Sequence, residues 1–185
     1  PGSSQSDLEK LTGGNSTFAL NLYRFLKEKE EGNLFYSPYS ISEALAMTWG
    51  GARGDIERQM AETLQFLLSQ EKLHPAFNSI DIELARRGQG AQGKDNEGFR
   101  LRVVNAIWGQ QGFKFNEEYL DLLATNYGAG MRLVDYVKAT EQARQTINQW
   151  VSDQTEDRIR DLLPEGSLTD MTRLVLTNAI YFNAA

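Results

Sequence analysis

Two serines three residues apart, Ser37 and Ser40, carry hydroxyls in the stretch NLFYSPYSIS at residues 33–42. The stretch predicts a short apolar strand that runs through Pro38 into a helix, because the missing N–H of proline costs no hydrogen bond in a first helical turn. A serine at such a start usually caps the helix by accepting a hydrogen bond from a backbone N–H. One serine is enough for this task, so the second is a candidate for another role, although capping and local bonding would also explain both.

Two asparagines stand in the middle of otherwise apolar strands. The sequences VNAIW around Asn105 and TNAIY around Asn178 echo each other, but the echo is too short to be a repeat. A side-chain amide without a partner in such surroundings costs about 1–3 kcal/mol, so each amide needs a hydrogen bond. A serine on a buried helix end is a suitable partner for at least one of them, because its hydroxyl both donates and accepts.

The sequence contains no recognisable catalytic or metal-binding constellation. His74 is the only histidine, no G-x-S-x-G nucleophile elbow accompanies it, and the chain has no cysteine. We therefore expect His74 to be an ordinary surface or turn residue. We also expect no catalytic residue, no metal and no cofactor.

The composition describes a globular chain and argues against two classes of partner. Of 185 residues, 41% are hydrophobic and 24% are charged, which is enough to bury a core. The formal net charge of −6 offers no positive field to nucleic acid. No apolar run approaches the ~20 residues of a membrane-spanning helix. The first residues, PGSSQSD, resemble the remnant of an expression tag, so we expect residues 1–11 to be disordered and one domain to cover residues 12–185.

Hydrophobic periodicity predicts a fold of the α+β class. Strands 99–109 and 174–182 become apolar on both faces, which is typical of strands covered on both sides. A helix at 140–155 carries Ala143, Ile147, Trp150 and Val151 on one face. The other predicted elements are helices at about 15–31, 40–49, 55–64, 71–87 and 117–127, a strand at 131–136, a loop at 88–98 and a loop or short helix at 158–172.

Four motifs, in this order and spacing, resemble the N-terminal half of a serpin. They are NLFYSPYSI at 33–41, GARGD at 51–55, VVNAIW at 103–108 and LTNAIYF at 176–182. The resemblance extends over essentially all of residues 12–185. It implies the N-terminal part of the serpin fold, in which helices A to F and strands of sheets A and B surround a large, mostly antiparallel sheet covered by helices. The three predicted strands would then belong to sheet A.

The resemblance also assigns roles to the polar residues. Ser37 and Ser40 match the helix serines of the serpin shutter, and Asn178 matches its strand asparagine. Hydrogen bonds among them would hold sheet A closed until it opens, as suits a buried polar network whose partners can be exchanged. The resemblance further implies that Ile147, Trp150 and Val151 lie on the helix that covers sheet A.

The function implied by the resemblance is protease inhibition. In the family, a reactive-centre loop is cut like a substrate and then inserts into sheet A as a new strand, which traps the enzyme. The expected partners are therefore a serine protease, or else a cysteine protease, and the C-terminal remainder of the same domain. The loop would lie outside this sequence. Because most targets of the family are extracellular, we expect a secreted or periplasmic location rather than a cytoplasmic one.

Serpins usually continue beyond the position matched by Ala185, with the rest of sheet A and the loop. We therefore expect this sequence to be one piece of a longer domain that neither inhibits a protease nor stays free of aggregation by itself. Two alternatives remain open. A non-inhibitory serpin, acting as a carrier or chaperone, would differ in the hinge of the loop, and an unrelated α/β enzyme would need a catalytic pocket.

Overall fold

The computed structural model describes residues 2–87, 100–128 and 130–183, so the predicted loop at 88–98 lies outside the described residues. The chain forms two compact units, Pro1–Leu84 and Ala85–Ala185. In chain order the elements are α1 (Gln5–Lys29), α2 (Pro38–Trp49), α3 (Gly54–Leu64), α4 (Gln70–Arg87), β1 (Arg100–Gln110), α5 (Glu117–Asn126), β2 (Met131–Val134), α6 (Thr140–Gln154) and β3 (Leu174–Asn183). They confirm the predicted α+β class.

The first helix begins well before the predicted position. Ser4 caps α1 by accepting a hydrogen bond of 3.1 Å from the backbone N–H of Asp7. Asp7 also places a negative charge in the first turn, where the helix dipole favours it. Leu11 is 3% exposed and belongs to the core. The prediction that residues 1–11 are disordered is therefore wrong from Gln5 onward, because the polar residues of this segment form a helix cap and first turn.

Before α2, the predicted strand at residues 33–37 is absent. A strand requires a neighbour that supplies its hydrogen bonds, and no described strand pairs with this segment. Phe35 is 86% exposed there. The apolar residues of the segment alone were therefore a poor predictor of strand structure.

An aromatic cluster fills the core of the N-terminal unit. Trp49 of α2 packs against Phe66 with 5.0 Å between ring centroids, and Phe66 meets the edge of Phe77 of α4 at 6.3 Å. The indole N–H of Trp49 donates to the carbonyl oxygen of Glu57 at 2.9 Å. This bond satisfies the buried indole and joins α2 to α3.

His74 belongs to this core, which corrects the expectation of a surface or turn residue. It lies in α4, is 1% exposed, and its ring centroid is 5.7 Å from that of Trp49. Burial lowers the pKa of His74 to about 4, because desolvation penalises the imidazolium more than the carboxylate of Glu71 favours it. At neutral pH the residue is therefore an uncharged core ring.

A three-stranded sheet forms the C-terminal unit, with strand order β2-β1-β3. β1 pairs parallel with β2 and antiparallel with β3, and the second register sets Val104 opposite Ala179 and Trp108 opposite Val175. Because side chains alternate between faces, these four residues share one face of the sheet. α6 packs on this face and buries Ile147 completely.

α1 approaches the end of α3 closely at Gly14. Gln65 ends α3 in a left-handed conformation with φ 58, and a Cβ on Gly14 would overlap its carbonyl oxygen. A Cβ on the neighbouring Gly13 would meet nothing within 4 Å. Position 14 therefore has no room for a side chain, whereas the adjacent position 13 has open space around it.

We predict that Gly14→Ala lowers the free energy of unfolding by about 1–3 kcal/mol, because the backbone of Gln65 must shift to admit the methyl group. The matched control Gly13→Ala should instead raise it by about 0.5–1 kcal/mol, since alanine is favoured over glycine inside a helix. Urea denaturation of both variants measures the two changes. Equal effects would contradict the close approach at Gly14.

Candidate functional site

The face of the sheet beneath α6 is mainly apolar. Ile147 and Val151 are completely buried against it. Trp150 is partly buried and touches the clusters around both residues. The partners on the sheet and its flanks are Val104, Ala106, Trp108, Val134, Tyr136 and Ala179. The structure thus places Ile147, Trp150 and Val151 against the sheet, and their part in a conformational change stays a prediction.

Two side chains from the sheet hold the ring of Trp150. Trp108 of β1 meets it edge-on, with 5.5 Å between ring centroids. The guanidinium carbon of Arg132, from β2, lies 4.8 Å from the centroid of Trp150 and 5.6 Å from that of Trp108. A cation over an aromatic face contributes about 0.5–2 kcal/mol, depending on desolvation. Arg132 therefore helps to fasten α6 to the strand β2.

Trp108 also connects β1 to β3 through its indole N–H, which donates to the hydroxyl oxygen of Thr177 at 3.1 Å. The hydroxyl of Thr177 in turn donates to the carbonyl oxygen of Ala106 at 3.3 Å. Thr177 is 2% exposed, so this short polar chain is enclosed by the apolar face. It satisfies groups that would otherwise be costly to bury.

Asn105 and Asn178 bind each other. They are directly opposite in the β1–β3 register, and the side-chain N–H of Asn178 donates to the side-chain oxygen of Asn105 at 2.6 Å. Strand alternation places them on the face opposite α6. The apolar surroundings of each amide predicted a hydrogen-bond partner, but the prediction of a serine did not include the possibility that each amide serves the other. The echo of VNAIW and TNAIY was the available signal, because two strands in antiparallel register can align their central asparagines.

The two serines of the predicted shutter differ in their surroundings. Ser37 caps α2, as predicted for one of them, by accepting a hydrogen bond of 3.3 Å from the backbone N–H of Ser40. Ser40 is completely buried. Both belong to the N-terminal unit, whereas Asn178 belongs to the C-terminal unit. The hydrogen bond between a shutter serine and Asn178 stays a prediction.

A further buried hydroxyl on α2 was not predicted from the sequence. Ser42 is completely buried, and its hydroxyl has no hydrogen-bond partner among the described residues. The sequence did not predict this burial, because a serine near alanines is equally common on an exposed helix face.

The segment after α6, residues 155–173, folds back along the helix, and we call it the strap. Asn148 of α6 makes two hydrogen bonds to the backbone of Leu163, one to its carbonyl oxygen at 2.9 Å and one from its N–H at 2.8 Å. The guanidinium of Arg144 donates to the same carbonyl oxygen at 2.7 Å. Helix and strap are therefore joined as one body. The amphipathic pattern did not identify Asn148, because polar residues inside helices usually face solvent.

Within the described ranges, no group of three or more His, Asp or Glu side chains could hold a metal ion. None of the helices that the structure describes is long and apolar enough to cross a membrane.

Comparisons with known proteins agree on one family. The family model described as "Serpin (serine protease inhibitor)" matches residues 13–185. Leukocyte elastase inhibitor A of Mus musculus is 42% identical over 176 residues, which cover 95% of this chain and 44% of that protein. Serpin B6 of Bos taurus is 42% identical over 178 residues, which cover 95% of this chain and 45% of that protein.

Solved structures show the same fold. Ovalbumin from emu, Dromaius novaehollandiae, superposes with a TM-score of 0.80 at 25% identity, over 95% of this chain and 47% of that one. Maspin superposes with a TM-score of 0.84 at 23% identity, over 96% of this chain and 45% of that one. These matches confirm the predicted fold. The chain spans less than half the length of the curated relatives it matches.

We predict that Asn105 and Asn178 are energetically coupled. Each single substitution to alanine should destabilise the protein by about 1–3 kcal/mol, because it leaves the other amide with one bond fewer. The double variant should then cost about 0.5–2 kcal/mol less than the sum of the two. A double-mutant cycle in urea measures this difference, and additive effects would show that the bond contributes nothing.

We predict that Trp150→Ala lowers the free energy of unfolding by about 2–4 kcal/mol. The variant loses the edge-on contact with Trp108, the contact with Arg132 and part of the apolar packing of α6. The control is Gln149→Ala on the exposed side of the same helix, which should change stability by less than about 0.5 kcal/mol. Thermal and urea denaturation compare the two. Similar small changes would argue against Trp150 as an anchor.

Proposed function

Because this chain belongs to the serpin family, we propose that the protein that carries it inhibits a serine protease by conformational trapping. The serine of the protease attacks a carbonyl carbon in the reactive-centre loop, the peptide C–N bond breaks, and the new amine leaves with a proton. The loop, now an ester of the protease, inserts as a strand beside β3 before water cleaves that ester. An unrelated α/β enzyme, the last alternative from the sequence, is excluded by the family membership.

The observation that supports this proposal most directly is the position of β3 at the edge of the described sheet. The backbone N–H of Gln110 donates to the carbonyl oxygen of Arg173 at 2.9 Å, which identifies that opposed pair as hydrogen-bonded. Hydrogen-bonded and non-hydrogen-bonded pairs alternate along an antiparallel ladder. The backbone groups of alternate β3 residues, from Leu174 to Phe182, therefore point away from β1. An added strand could bond to this edge.

The relatives support a class of target. Two of them are named leukocyte elastase inhibitors, from Mus musculus and Homo sapiens. We infer an elastase-like serine protease, whose small specificity pocket accepts small side chains, as the first target to test. A cysteine protease is the second class. The secreted or periplasmic location stays a prediction that rests on the usual targets of the family.

The test is to mix the whole protein with leukocyte elastase and to follow protease activity and denaturing gels. We expect activity to be lost with formation of a 1:1 complex that survives denaturation. Elastase with a blocked active-site serine is the control and should form no such complex. Cleavage of the loop without trapping, and without a rise in melting temperature, would favour the non-inhibitory alternative. No complex with a panel of serine and cysteine proteases would reject inhibition.

A further inference from the structure

Glu156 joins the end of α6 to both long strands. It follows Thr155, the C-cap residue of α6. One carboxylate oxygen lies 3.0 Å from a guanidinium nitrogen of Arg102 on β1, and the other accepts a hydrogen bond of 3.0 Å from the hydroxyl of Tyr181 on β3. Arg102 and Tyr181 are directly opposite in the ladder. A single carboxylate therefore fastens the end of the helix to one cross-strand pair.

The backbone at this point adopts an unfavourable conformation. Glu156 and Asp157 have φ of 51 and 59, in the left-handed region that residues with a Cβ enter only at a cost. Ser152 holds the turn, since its hydroxyl donates to the carboxylate of Asp157 at 2.9 Å and its carbonyl oxygen accepts from the N–H of Asp157 at 2.9 Å. The turn directs the side chain of Glu156 toward the strands.

Asn148 and Arg144 of α6 hold the middle of the strap through the backbone of Leu163. The far end of the strap is held to β1, because the backbone N–H of Gln110 donates to the carbonyl oxygen of Arg173. Ile159 and Leu162 of the strap pack in the cluster that contains Val104 and Ala179. The strap therefore covers β3, the strand beside which an inserted strand would be placed.

We propose that Arg102, Glu156 and Tyr181 form a latch that sets the rate at which α6 and the strap yield when a strand enters beside β3. The proposal rests on the proposed function and names the residues that control its slow step. Glu156 is a positioning residue, because it touches neither the protease nor the loop. Since Arg102 and Glu156 are partly exposed, added salt should weaken their ion pair, whereas the hydroxyl of Tyr181 belongs to a side chain that is 8% exposed.

The test uses Glu156→Gln in the whole protein, which removes the charge but keeps the shape of the side chain. We expect amide hydrogen exchange in residues 140–163 to accelerate about three- to tenfold, and the limiting rate of complex formation to rise by a similar factor. Tyr181→Phe should accelerate both processes by a smaller factor. It replaces Glu156→Gln as the test variant if Glu156→Gln fails to fold. Added salt should accelerate exchange in the unmodified protein more than in Glu156→Gln.

The matched control is Glu141→Gln. Glu141 forms an ion pair of 2.6 Å with Arg144 inside α6, so the substitution removes the same charge without touching the sheet. The limiting rate of complex formation should stay unchanged, and any change in exchange should be confined to residues that contact Arg144, such as Leu163. The latch is overturned if Glu156→Gln alters neither rate, if it alters exchange alone while complexes still form, or if Glu141→Gln has the same effect. If exchange responds as expected but the unmodified protein traps no protease, the proposed function fails and the fastening by Glu156 stands.

Discussion

The antiparallel register between β1 and β3 is the constraint on which the rest of the C-terminal unit depends. It sets Asn105 opposite Asn178 on one face of the sheet and Arg102 opposite Tyr181 on the other. Because side chains alternate along a strand, a slip of one residue would turn Trp108 away from α6 and separate every polar pair. The alignment of β1 with β3 thus specifies both the apolar surface beneath α6 and the side-chain hydrogen bonds between the two strands.

Apolar packing and hydrogen bonds on this sheet respond differently when α6 lifts away from it. Lifting α6 would expose Ile147 and Val151, which are completely buried, at a cost proportional to the apolar area returned to water. A hydrogen bond such as that between Asn105 and Asn178 contributes only about 0.5–1.5 kcal/mol net, because water or another polar group can replace either partner. The apolar packing therefore supplies most of the resistance to lifting α6, and a polar contact that crosses to the strands, such as that of Glu156, adds a smaller part that changes the rate.

The strap behaves as an extension of α6. Asn148 and Arg144 bind the backbone of Leu163. These hydrogen bonds stay intact when helix and strap move together over the sheet. Such internally satisfied bodies can shift as units, because the buried polar groups keep their partners. The contacts of Glu156 are different, since they cross from this body to the strands and must break if it lifts.

The sequence by itself determined the helices, the three strands of the sheet, the family and the buried face of α6, because periodicity and short motifs are local properties of a chain, although the apolar residues at 33–37 wrongly predicted a further strand. The predicted start of α1 was nevertheless too late in the chain, because polar residues are typical both of a helix cap and of a disordered terminus. The tertiary structure decided which side chains contact each other. Asn105 and Asn178 are 73 residues apart, and the burial of His74 beside Trp49 likewise depends on how separate helices pack. Contacts of this kind arise only when distant segments meet, so a local pattern such as the echo of VNAIW and TNAIY can suggest a partner but cannot establish it.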